Sequence, residues 1–320
     1  MNYNPARICT IEAPCKINLH LKIGEKRPDG FHNLESLMVN LAFGDTIRFE
    51  ETGEKGDSRL IINWETPEEA LLLKENLIFH AISLFRKETG YENGLKINLS
   101  KRIPSGAGLG GGSSDAASTL LALNSLCKTA FSMEKLSEMA SMLGSDVPFF
   151  LFKGAAFVSG RGELVEPVKL SNGFYRDKLQ VVLVKPPFSS STAIAYGLLD
   201  KARENNSWAL NHGKNVSREA AIQALGKDPK SWPYYNDFLP VLTAAESGEN
   251  QKNALCLKAI LKDLSASGAV FTGLSGSGSC CFGVFCSMDM AKRAEKLLSG
   301  NGNFTKLTFF LAQNAYPVLE

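Results

Sequence analysis

The sequence predicts an α+β protein built in two halves. Three observations carry this. The strand-like segment 95–100 runs through a cluster of glycines into the helical pattern 113–126. Strand-like and helical segments alternate ahead of it. After residue 165, two strand–helix–strand patterns follow each other, as in a ferredoxin-like domain. At 320 residues the chain exceeds the usual size of one domain, so two units are expected, residues 1–165 and residues 166–320.

In chain order, segments 7–13, 17–23, 33–41, 45–51, 60–64 and 95–99 read as strands. Residues 75–89 read as a helix with Leu77, Ala81, Leu84 and Phe85 on one face. Helices are expected at 113–126 and 133–143, the second with Leu136, Met139, Ala140 and Leu143 at helical spacing. The apolar runs 149–158 and 178–184 read as further strands. Pro186 and Pro187 open a rigid break. Helices then occupy 192–202 and 218–225, separated by a polar loop at 205–215. Residues 232–238 lead to a helix beginning near Pro240. A helix at 254–265, a hairpin of strands 270–273 and 280–285, a helix at 288–298 and a strand at 306–312 close the chain.

Composition excludes several classes of protein. Hydrophobic residues make up 44% and charged residues 21%, as in ordinary globular chains. A net charge of +2 and scattered lysines and arginines give no basic stripe for nucleic acid. Lys101 and Arg102 are the one local pair placed to matter for a nucleotide; such a pair ordinarily forms a solvated edge. Seven cysteines without Cys-x-x-Cys spacing argue against a disulfide framework and a structural zinc site. The N-terminal residues carry no apolar run like that of a signal peptide, and the apolar stretch 147–152 is too short for a bilayer. A cytoplasmic protein without membrane or nucleic-acid partners is expected, and no protein partner is evident.

The glycine run is the most informative segment. In Pro104-Ser-Gly-Ala-Gly-Leu-Gly-Gly-Gly-Ser-Ser-Asp-Ala-Ala-Ser118, five glycines (Gly106, Gly108, Gly110, Gly111 and Gly112) fall within seven residues. Without Cβ atoms, their N–H groups can converge on a ligand, and a following helix start adds free donors and partial positive charge. Strand, glycine loop and helix together make a cradle for phosphate. No lysine follows the glycines, so this is not a Walker A loop. Gly106, Gly108 and Gly111 satisfy Gly-x-Gly-x-x-Gly, but a dinucleotide fold needs a following strand ending in an acid. The chain continues instead into a second helix.

The loop resembles the phosphate loop of the GHMP kinases, through Pro-x-Gly-x-Gly-Leu-Gly followed by Ser-Ser. Two further segments strengthen the likeness. Ala13-Pro-Cys-Lys-Ile-Asn-Leu-His-Leu21 is similar to the family's first motif, and Thr272-Gly-Leu-Ser-Gly-Ser-Gly-Ser-Cys-Cys-Phe-Gly283 to its third. Arg27-Pro-Asp-Gly-Phe-His32 and Gly144-Ser-Asp-Val-Pro-Phe-Phe150 narrow it to the branch that acts on a cytidine-diphosphate-linked methylerythritol in the non-mevalonate isoprenoid route. The resemblance implies two GHMP kinase domains, the first with a left-handed β-α-β crossover against the right-handed default and the second ferredoxin-like. It implies transfer of the γ-phosphate of ATP, with Mg²⁺, to the tertiary 2-hydroxyl of that acceptor. A relative acting on homoserine or mevalonate is the alternative.

The resemblance also assigns residues. Phosphoryl transfer chiefly needs positioned groups and balanced charge. Pro104, Ser105, Gly106, Ala107, Gly108, Leu109, Gly110, Gly111, Gly112, Ser113 and Ser114 would hold the triphosphate, with Asn76 and Leu77 beside the adenine. Asp146 would be the general base, favoured by its apolar flanks over the alternative that an acid there caps a turn. Lys16 would stand by Asp146 and the acceptor hydroxyl, although a lone lysine in an alternating strand is ordinarily its wet face. His32 would contact the cytosine and Phe31 stack on it, with Asn18 adding a polar contact. Tyr196 would be the second stacking aromatic, with Thr192 nearby. Family members often carry Tyr at the Phe31 position and Pro at Ser191 and Ala193. Ser113 or Ser114 could approach magnesium, but no carboxylate cluster reads as an ion cage. Gly276 and Gly278 would let the third motif pack close to the site, or simply make a hairpin turn.

Overall fold

The computed structural model describes residues 7–56, 58–65, 76–168, 179–205, 216–244 and 248–311. Its first sheet is built on two long antiparallel strands, β1 (Ile8–Lys26) and β2 (His32–Lys55). The sequence suggests four short strands here, with Pro14 and Gly44 in the gaps between them. Those two residues instead face each other across the ladder, and Gly44 lies where a Cβ would meet Ala13 O at 2.2 Å. The absent side chain lets the two backbones cross and both strands continue. Beyond that crossing β2 changes its second neighbour. Residues 36–39 pair with β5 (Ala155–Ser159), and residues 46–55 pair with β4 (Asn93–Lys101). The short strands β3 (Arg59–Trp64) and β6 (Leu164–Pro167) complete the sheet in the order β3-β4-β2-β5-β6. Strand β6 was not expected from the sequence.

Parallel strands β3 and β4 are joined through α1 (Leu77–Thr89). Asn76 caps it, its side chain accepting from Ile78 N, and Gly90 closes it at φ 68°. Its buried stripe is Ile78, Ala81, Ile82 and Phe85, leaving Leu77 and Leu84 at the margin. Helices α2 (Gly111–Leu126) and α3 (Met133–Leu143) pack beside it. The run at 149–158 is not one strand. Pro148–Leu151 forms a 3₁₀ turn whose four residues are all buried, under α2 and α3, and β5 starts at Ala155. An unbroken apolar run carries no period to separate these choices, and Pro148 favours the turn.

The second half contains β7 (Gln180–Lys185), α4 (Thr192–Glu204), α5 (Arg218–Ala224), α6 (Phe238–Thr243) and α7 (Gly248–Ala266). β8 (Phe271–Leu274), β9 (Cys281–Phe285), α8 (Met288–Leu298) and β10 (Phe304–Phe309) follow. Its antiparallel sheet runs β10-β7-β9-β8, the fourth–first–third–second order of a ferredoxin-like sheet. The expected positions 75, 178, 206–215 and 312 lie outside the described residues. Strand β7 is buried on both faces. Val181 and Leu183 join the core that holds Ile17, Leu37 and Trp232, while Val182 and Val184 join the one that holds Leu257, Ala291 and Ala294. The adjacent Cys280 and Cys281 likewise enter different cores, as alternation in a strand requires.

The two halves meet along β1. Leu21 N donates to Tyr235 O, and Asp237 N donates to Leu21 O. His20 lies at this seam, 1% exposed, with its ring edge-on to Tyr235 at 4.5 Å. Burial, reinforced by the charge of Lys22, lowers its pKa to about 4. A histidine held neutral when folded but free to protonate when unfolded stabilises the fold above its unfolded pKa near 6.5. That contribution is lost as pH falls through 6.5 toward 4. The stability gap between wild type and His20→Phe should therefore shift by about 3 kcal/mol in the variant's favour from pH 7 to pH 4. Urea titrations at both values would show it; a constant gap would remove His20 from the acid response.

Candidate active site

The glycine loop opens at the end of β4 and closes into α2. Gly106, Gly108 and Gly110 take φ of 60°, 74° and 74°. Gly110 is the N-cap of α2, so the helix begins two residues earlier than the serines suggest. Loop carbonyls turn away from the cavity. Lys16 N donates to Leu109 O, Ser275 Oγ to Gly108 O at 2.9 Å, and Cys280 N to Ala107 O. The N–H groups of residues 106–110 donate to no other described residue. They are left for an anion at a helix start. The adjoining cavity of about 340 Å³ is lined by residues 103–113 together with Asn76, Leu77, Ile62, Trp64, Lys101 and Asp115. Ser113 is among them. Ser114 is fully buried and is not.

Lys101 is not a solvated edge. It is 6% exposed, and its Nζ donates to Asp45 Oδ2 at 2.5 Å and Asp115 Oδ2 at 2.7 Å. The other oxygen of Asp45 accepts from Arg102 N and Ile103 N, which fixes the backbone entering the loop. Burial lifts Asp115 to about 7 against the pull of Lys101, with Asp45 adding to the rise. One ammonium cannot neutralise two buried carboxylates. Lys101 and Trp64 face each other across the β3–β4 ladder. The sequence signal for both was position alone, at strand ends bordering the loop.

Lys16 sits where β1 has a bulge, between Pro14 and Lys16, and its N–H leaves the sheet for the glycine loop. The side chain is 4% exposed rather than on a wet face. Its Nζ donates to Asn18 Oδ1 at 2.6 Å and lies 3.5 Å from Asp146 Oδ2. Asn18 donates onward to Ser36 Oγ, which donates to His20 O, so the lysine rests on a fixed chain of hydrogen bonds. Asp146 stands in the turn between α3 and the 3₁₀ segment with its side chain 35% exposed. The third glycine turn closes over Lys16. Gly276, at φ 56°, has Lys16 Nζ 3.4 Å from where a Cβ would lie. Asn236 Nδ2 donates to Leu274 O and Gly276 O and holds that turn. The three motifs therefore converge on one point.

On the other side of Asp146 are α4 and the start of β2. Burial, with the Asp146 charge adding, pushes the Tyr196 phenol up to about 12, so it remains a neutral donor. The Tyr196 ring lies face-on against His32 at 4.8 Å and edge-on to Phe238. Tyr196 and His32, both assigned to the acceptor by resemblance, are thus brought into direct contact. Phe31 is 53% exposed, with the Arg161 guanidinium 5.2 Å from its ring centre. Thr192 Oγ1 is 2.9 Å from Ser277 Oγ and so ties α4 to the third glycine turn. Asp200 Oδ1 lies 2.8 Å from His32 Nε2, and sequence reasoning singled out neither Asp200 nor Arg161. Neither sits in a motif that marks it.

The cavity and the charged pair are the parts a phosphotransferase needs, and comparison with known proteins agrees. The GHMP kinases N terminal domain matches residues 76–154. A 4-diphosphocytidyl-2-C-methyl-D-erythritol kinase of Treponema pallidum subsp. pallidum is 35% identical over 293 residues, covering 91% of this chain and 94% of its own. The chloroplastic enzyme of that name from Oryza sativa subsp. japonica is 45% identical over 185 residues, 58% of this chain and 44% of the rice protein. A crystal structure of 4-(cytidine 5'-diphospho)-2C-methyl-D-erythritol kinase superposes with a TM-score of 0.70 at 31% identity, covering 94% of this chain and 99% of that one. With the three motifs meeting at Lys16 and likeness of this extent, the chain belongs to the 4-diphosphocytidyl-2-C-methyl-D-erythritol kinases of the GHMP kinase family.

Proposed function

We propose that the protein transfers the γ-phosphate of ATP to the tertiary 2-hydroxyl of 4-diphosphocytidyl-2-C-methyl-D-erythritol. The observation that supports this most is the Lys16–Asp146 pair, 3.5 Å apart, beside both the glycine loop and the third glycine turn. The acceptor hydroxyl lies against Asp146, which takes its proton as the oxygen bonds to the γ-phosphorus and the bond to the bridging oxygen of ADP breaks. Lys16 balances the charge that develops on the acceptor oxygen. The N–H groups of the glycine loop and the start of α2 hold the phosphates, and Asn76 and Leu77 border the adenine. Among the described residues, no group of three His, Cys, Asp or Glu side chains could hold a metal alone. Mg²⁺ would therefore enter with ATP, on phosphate oxygens with the Ser113 hydroxyl beside them, and neutralise phosphate charge.

In this reading residues 1–165 carry the phosphate machinery and residues 166–320 complete the acceptor site. Phe31 offers the cytosine an apolar face, and the edge of His32 offers it a hydrogen bond. Asn18, Thr192 and Tyr196 line the path to the reacting hydroxyl. None of the described helices is long and apolar enough to cross a membrane, and all seven cysteines are free, which suits the cytoplasmic setting. An acceptor panel tests the function. ADP release with this acceptor should exceed that with homoserine or mevalonate by about a thousandfold or more in kcat/KM, because a site built for a base leaves polar groups unpaired without one. Preference for an acceptor lacking cytidine would overturn the reading.

A further inference from the structure

His32 is held at two points by one helix. Tyr196 and Asp200 are four residues apart on α4 and share a face. Tyr196 covers the imidazole, while Asp200 Oδ1 lies 2.8 Å from Nε2. The second carboxylate oxygen of Asp200 accepts from Lys26 Nζ at 3.2 Å, and Lys26 is the residue opposite His32 in the β1–β2 ladder. Burial opposes ionisation of Asp200, but the hydrogen bonds from His32 and Lys26 outweigh it and keep the carboxyl below its ordinary range. An ionised carboxylate can only accept. Nε2 therefore carries the proton that faces Asp200, and an imidazole holding that proton alone presents Nδ1 as an acceptor.

We infer that Asp200 is a specificity-determining positioning residue, which sets the His32 tautomer so that the ring selects a base bearing an exocyclic amine over one bearing an oxo group. The inference rests on the reading that His32 meets the base. A bare Nδ1 accepts from the 4-amino group of cytosine. Against the 4-oxo group of uracil it would set lone pair against lone pair in a half-buried site, where unpaired acceptors are costly. The α4 helix thus writes the base preference although it follows His32 by more than 160 residues.

The test compares kcat/KM for the cytidine acceptor and its uridine-diphosphate analogue. In Asp200→Ala the cytidine-to-uridine ratio should fall about tenfold or more, largely through KM, with kcat on the cytidine acceptor within about threefold. Asp200→Glu, which restores an acceptor, should recover much of the ratio. A ratio in Asp200→Ala within about twofold of wild type would overturn the inference. Ring ¹⁵N shifts of the wild-type protein give a readout that needs no variant: Nε2 protonated and Nδ1 bare supports it, and the reverse overturns it. His32→Ala separates the two levels. If it leaves KM for the cytidine acceptor unchanged, the contact between His32 and the base falls, and this inference with it. If it raises KM while Asp200→Ala keeps the ratio, only the role of Asp200 falls.

Discussion

Asp146→Ala should lower kcat by about a thousandfold while ATP binds within about twofold of wild type. The asymmetry follows from where the residue stands. Asp146 is in a turn beyond α3, partly exposed, and touches the molecule chiefly through Lys16. The glycine loop draws its geometry from elsewhere, from Lys16 N, Ser275 and Cys280. Removing the carboxylate therefore deletes the proposed proton acceptor without loosening the phosphate cradle. Asp146→Asn keeps the size of the side chain and should lose nearly as much. Single-turnover kinetics and ATP titration, run on the same preparations, separate the two quantities. Turnover within tenfold of wild type would take the role of base away from Asp146.

Gly108→Ala should fail differently, losing stability and ATP binding together. At φ 74° a side chain is strained, and here the new Cβ would lie 2.1 Å from Ser275 O and 3.0 Å from Gly278 O. Both are backbone atoms that cannot swing aside. The loop or the third glycine turn must retreat, which also breaks the Ser275 Oγ to Gly108 O bond. A destabilisation of about 2–4 kcal/mol is expected. Gly197→Ala is the control, since Gly197 lies inside α4 with nothing within 4 Å of a Cβ. It should raise stability by about 0.5–1 kcal/mol. Denaturant midpoints for both variants decide the matter. Equal stability of Gly108→Ala and wild type would mean that the contact between the loops is not needed for the fold.

What could be read in the sequence was what local stereochemistry demands. Glycines at 106, 108 and 110 are there because the backbone takes positive φ. The helices announced themselves by period, and the order of the second sheet followed from its strand–helix alternation. Lys101 resisted, because its partners lie 56 and 14 residues away and a lysine with a buried partner looks like any other lysine. The link between His32 and Asp200, 168 residues apart, was beyond reach for the same reason. Lys16 and Asp146 were paired through family likeness. No spacing between a strand and a distant turn implies contact. The long strands were read as fragments with Gly44 and Pro14 in the gaps, whereas here each makes room for the other.

Helix α4 carries Thr192, Tyr196 and Asp200, and none of the phosphate loop belongs to it. In the proposed reading, part of the acceptor site thus stands on a helix that carries neither Lys16, Asp146 nor the phosphate loop. On that reading, substitutions at Tyr196 and Asp200 would retune what is phosphorylated, while Thr192, tied to the third glycine turn, would be kept. For redesign, this makes α4 the place to randomise first, and β1, the loop and α2 the places to leave alone.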